Sequence, residues 1–204
     1  MTGEAGAAFA QFGAFARVFE EGRYLDLLHL DAPAPAIDLI RSIVGADPSA
    51  REGEVVALLR PDSFWRAQLV GVAAVLSGVS GPATLAAVWR ALEHPSWVSP
   101  QLAATLSLVD PAFIAGAQRR LDSLCHVDAE PVRQRFRQSV EHCPDFKDGK
   151  QMAALLALLE TIHGQTWVRA YGERPEVEQL LAKAREGDGL ALGWRERAAA
   201  TLLA

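Results

Sequence analysis

Residues 63–76 read Ser63-Phe64-Trp65-Arg66-Ala67-Gln68-Leu69-Val70-Gly71-Val72-Ala73-Ala74-Val75-Leu76. Wound at 3.6 residues per turn, this stretch is apolar on nearly every face. A helix without a polar face has to be enclosed by other elements, so the segment predicts a buried central helix. Asp62 stands before it as an N-cap. No segment sustains the period-two alternation, bounded by hairpin turns, that marks strands, so the chain reads as all-α.

Working outward, helical periodicity recurs along the chain. Phe9, Phe12, Phe15 and Phe19 make one stripe on a first helix ending near Gly22, and Ile37, Leu39, Ile40 and Val44 mark a second. Asp47-Pro48, Ser99-Pro100 and Asp110-Pro111 each pair a capping side chain with proline at the first helical position, where the missing N–H costs nothing. These signals predict helices over 82–93, 100–109, 111–124, 131–142, 148–163, 167–171, 175–185 and 190–203. The short connections fit an all-α array.

Sliding the chain along itself shows a degenerate repeat. Residues 63–69 fall on 96–102, so that Ser63-Phe64-Trp65 meets Ser96-Trp97-Val98. The helices that follow both open with proline, Pro82 and Pro111. Residues 152–159 fall on 69–76, and Trp194-Arg195 echoes Trp65-Arg66. Stacked helical hairpins explain this pattern better than a closed bundle does.

Trp65-Arg66, the small residues Gly71, Ala73 and Ala74, and the partner helix opened by Pro82 resemble the HEAT-like (armadillo-type) repeat families. The likeness covers residues 47–125 best, with residues 5–46 as N-terminal capping helices. It implies a single domain over 1–204, a right-handed α-solenoid of about five stacked hairpins. Such proteins most often bind other proteins along a concave face of second helices. The resemblance does not select one function, because fold does not imply function.

Composition narrows the classes. The chain has 204 residues, 50% of them hydrophobic and 22% charged, enough to bury a sizeable core. Mean hydropathy is +0.09, and no apolar run reaches the roughly 18–20 residues of a membrane helix. The N-terminus reads as neither a secretory signal nor a transit peptide, so a cytoplasmic protein is expected. Net charge is −5, and residues 1–60 carry 9 acidic against 5 basic groups, including Glu20, Glu21, Asp26, Asp31 and Asp38. This opposes nucleic-acid binding, which needs a concentrated basic face. Arg133, Arg135 and Arg137 form the one dense basic run, but alternating residues of a helix do not converge on an anion.

Catalytic and metal signals are thin. Cys125-His126 and His142-Cys143 have zinc-binding residue types, but a helix over 131–142 separates them by roughly 15–20 Å. Zinc needs all its ligands on one centre, and the same separation opposes a disulfide. His94 and His163 sit at predicted helix ends, where an imidazolium suits the dipole; His29 has no motif partner. No nucleophile elbow, P-loop, dinucleotide fingerprint or zincin motif occurs. No catalytic residue, metal or cofactor is expected.

Five tryptophans remain, Trp65, Trp89, Trp97, Trp167 and Trp194, with core wedging as their ordinary role. Tryptophan and arginine are also the commonest interface anchors. Trp65-Arg66, Trp89-Arg90, Trp97 and Arg119-Arg120, with the acidic Glu20, Glu21, Asp26 and Asp31, are therefore the candidate partner-binding residues. Three functions compete. The first is a non-catalytic binding protein, in one version a bacterial immunity protein or antitoxin covering a basic toxin cleft. The Ala-, Arg- and Leu-rich composition suits a GC-rich bacterium. The second is an enzyme resembling the HEAT-like alkylpurine DNA glycosylases, from which this acidic chain departs. The third is a regulatory scaffold, monomeric or homodimeric, using the phenylalanine stripe.

Overall fold

The computed structural model describes residues 9–30, 35–45, 47–94, 96–125, 144–182 and 187–203. The helix expected over 131–142, with its arginine run, lies outside them, as do Asp31, His126, His142 and Cys143. The described residues form α1 (Ala16–Phe19), α2 (Asp26–His29), α3 (Pro35–Val44), α4 (Glu52–Leu58), α5 (Trp65–Leu76), α6 (Pro82–Leu92), α7 (Ser99–Val109), α8 (Phe113–Cys125), α9 (Pro144–Ala157), α10 (Trp167–Gly172), α11 (Pro175–Leu181) and α12 (Gly187–Leu202). There is no strand among them. The protein is all-α, and no described helix is long and apolar enough to cross a membrane.

Two compact units divide the chain: residues 1–94 with 194–204, and residues 95–193. In the first unit α5 is the centre. Residues 67–76 are all buried, and α2, α3, α4 and α6 pack around the helix. It starts at Trp65, and its cap position, Phe64, offers no side-chain acceptor. Asp62 instead pairs with Arg60 at 2.9 Å. The Asp47 cap does form: its carboxylate accepts from the Ala50 N–H (3.3 Å) and opens a 3-10 turn before α4.

The N-terminal phenylalanine stripe is core, but its helix is broken. Gly13 takes φ +57°, a left-handed backbone that side-chain-bearing residues avoid. A 3-10 turn, Ala10–Phe15, therefore precedes α1. The Glu54 carboxylate seals the break, accepting from the Ala14 N–H (3.1 Å) and from Arg51 (2.9 Å). Phe12, Phe15 and Phe19 are buried, and the Phe9 and Phe19 rings stack at 4.7 Å. The C-terminal part of α12 closes the unit: Trp194 is buried and its indole N–H donates to the Leu27 carbonyl (3.0 Å).

The second unit has its own enclosed helix. Residues 99–107 of α7 are all buried, although several are polar. Ser99 and Thr105 meet part of this need by donating their hydroxyls to the Ser96 and Gln101 carbonyls, each at 2.8 Å. Ser99 is itself the first helical residue and not the cap. Next to α7 lies α9, which also contacts α8 and α11. Its residues 147–156 are buried too, including Lys147, Asp148, Lys150 and Gln151.

Close packing on α5 gives a prediction from two glycines. A Cβ on Gly71 would stand 2.8 Å from Cγ of the buried Leu59, whereas one on Gly53 would meet nothing within 4 Å. Gly71→Ala should destabilise by about 1–2 kcal/mol in urea unfolding, the overpacking outweighing the gain in helix propensity. Gly53→Ala should stabilise by about 0.5–1 kcal/mol. Equal shifts for the two variants would contradict this packing.

Candidate functional site

The residues singled out from the sequence occupy both units. In the first, Arg66 is held among aromatic rings, its guanidinium 4.6 Å from the Trp65 ring centre and 5.5 Å from that of Tyr24. Its Nε–H also donates to the Tyr24 hydroxyl (2.9 Å). Trp89 is half-buried and Arg90 exposed on α6, and exposed Asp26 opens α2. Glu20 and Glu21 begin the 3-10 turn Glu20–Leu25.

In the second unit Trp97 is the most exposed tryptophan, at 44%, with the Lys147 and Lys150 ammonium groups 5.3 and 5.9 Å from its ring centre. Arg119 is exposed. Arg120 donates from Nε to Gln151 Oε1 (2.8 Å), which commits it to joining α8 to α9. Of the five tryptophans only Trp194 is fully enclosed; Trp65, Trp89 and Trp167 are half-buried.

His94 caps the end of α6 as its position implies, Nδ1–H donating to the Arg90 carbonyl (3.1 Å). His163 does something else: its Nε2 lies 3.3 Å from the buried Ser107 hydroxyl, and its ring sits 5.0 Å from that of Phe113. Among the described residues, no group of three or more His, Cys, Asp or Glu side chains could hold a metal ion.

A groove of about 680 Å³ lies in the second unit, where α9, α10 and α11 meet the start of α12. Its floor is apolar, set by Leu156, Val168 and Leu181. Among the described residues its rim carries three carboxylates, Glu160, Glu178 and Asp188, and one cation, Arg169. Arg169 Nε pairs with Glu160 at 2.6 Å. That hydrogen bond, and then the negative charge of Glu160, hold the Arg169 guanidinium above its ordinary pKa.

The groove follows from small residues on α9. Ala153, Leu156, Ala157 and Glu160 recur at helical spacing on one face, and two alanines leave room that larger side chains would fill. Glu160 lies past the end of α9 proper, in a single π turn, Leu158–Ile162. The sequence reading missed these rim residues because the carboxylates lie on separate helices in a region of net charge −1. The small-residue stripe ending in an acid was the available signal.

Beside the groove, Tyr171 fixes α10 to α8. It is buried, its hydroxyl is 3.1 Å from Cys125 Sγ, and the Arg174 guanidinium lies 4.3 Å from its ring centre. Burial first, and the Cys125 contact second, push its phenol pKa far above the ordinary value. A raised folded-state pKa gives stability that is complete below the unfolded value of about 10 and declines as pH rises above it. Urea unfolding should therefore weaken with pH above about 10 more steeply in the native chain than in Tyr171→Phe, by about 1 kcal/mol per pH unit. Identical slopes would contradict the assignment.

No protein-family model matches the chain, and no curated protein or solved structure matches it either.

Proposed function

We propose that this chain is a non-catalytic protein-binding protein of the repeated-hairpin type, a HEAT-like α-solenoid, whose partner presents a basic amphipathic segment. The repeat reading is supported by one correspondence. The aligned segments of the 33-residue register lead into α5 and α7, the enclosed helices of the two units.

The observation that carries the binding reading is the groove, an apolar floor edged, among the described residues, by three carboxylates and one arginine. An apolar floor takes the hydrophobic face of a partner helix, and carboxylates above it take flanking lysine or arginine side chains. The formal net charge of −5 steers a basic partner toward the protein over longer range. An immunity or antitoxin role, covering a basic toxin surface, is the specific form of this reading.

The test uses a fluorescent amphipathic lysine/leucine peptide, with a glutamate/leucine peptide of the same pattern as control. The basic peptide should bind in a salt-sensitive manner. Glu178→Lys with Asp188→Lys should weaken it roughly tenfold or more, because both side chains are exposed on the rim and can be replaced without disturbing the core. Reversal of Asp26 and Glu93, exposed in the other unit, should have the smaller effect. Equal binding of both peptides, or equal loss in both reversals, would overturn the proposal.

A further inference from the structure

We propose that Arg169 is an internal stand-in for a cationic side chain of the partner, seated on Glu160 in the free protein and displaced when the groove fills. The inference rests on the binding reading above and adds the step by which the groove is occupied.

The geometry supports exchange in three ways. Among the described residues, Arg169 is the one side chain paired with Glu160, and it uses a single Nε–H···Oε1 contact of 2.6 Å. A bidentate fork would be harder to replace. The pair is also open to water, with side-chain exposures of 78% for Arg169 and 40% for Glu160. Water can therefore receive the guanidinium when it leaves, and an exposed pair of this kind is weak to begin with. Finally, Glu160 sits in the π turn that ends α9, and such turns recur at functional positions. Glu160 thus lines the groove while pairing with Arg169 of α10, available to either cation.

Exchange makes Arg169 a competitor of the ligand although it lies within the site. Loss of Arg169 then strengthens binding of a cation, and loss of Glu160 weakens it. A mere change in net charge also favours cations, so a cycle is needed to separate the two effects. Competition acts through Glu160 and disappears without it, whereas a long-range charge effect persists.

The lysine/leucine peptide is titrated into the full chain and into Arg169→Gln, Glu160→Gln and the double variant. The expected result is binding about two- to fivefold tighter in Arg169→Gln, weaker in Glu160→Gln, and no further change on adding Arg169→Gln to Glu160→Gln. Unchanged or weaker binding in Arg169→Gln, or the same tightening in both backgrounds, overturns the exchange while leaving the groove as the site. A native chain that binds the basic peptide no better than the glutamate/leucine one overturns the binding reading itself, and the exchange with it.

Discussion

A helix that lacks a polar face has to be enclosed on every side, and the rest of this structure follows from that constraint. Residues 67–76 of α5 are all buried, as are residues 99–107 of α7. Neither helix can form part of a stable protein until several others surround it. Each unit is accordingly assembled around one of them, from helices that are individually short. The 3-10 turns and four-residue helices near the N-terminus have little stability of their own. Burial of Phe12, Phe15 and Phe19 is what holds them in place.

The groove is a consequence of the same enclosure. Packed against α7, α8 and α11, α9 buries even Lys147, Asp148, Lys150 and Gln151. Ionised and polar groups so placed need compensation, and Arg120 supplies part of it through Gln151. With that register fixed, the alanine-bearing stripe of α9 is left toward α10 and α11, and the space it opens is the groove. The shape of the groove thus depends on how α9 is seated and not on a separate loop.

Much of the fold was legible in the sequence. The apolar run of α5, the Asp47 cap and the prolines opening α6 and α11 all act where local rules place them. The segments 63–69 and 96–102, which match at a shift of 33 residues, lead into the two enclosed helices. Local rules failed where a long-range partner decided the outcome. Gly13 breaks the first helix because Glu54, forty residues away, receives the freed amide of Ala14. Asp62 fails as a cap for a local reason: it pairs with Arg60, two residues before it, and leaves α5 without a side-chain cap. The site was less legible than the fold. Residue types known as interface anchors drew attention to Trp65, Arg66 and Arg120, which make internal contacts. Glu160, Arg169, Glu178 and Asp188 belong to four different elements, and only their packing brings them to one rim.

The enclosure of α5 and α7 is most directly tested by amide hydrogen exchange across a denaturant series. Residues 67–76 and 99–107 should be the slowest segments of their units, opening only with global unfolding. The Ala10–Phe15 turn should open locally and much sooner. Exchange of the two central helices through local opening, at rates like those of that turn, would contradict the account.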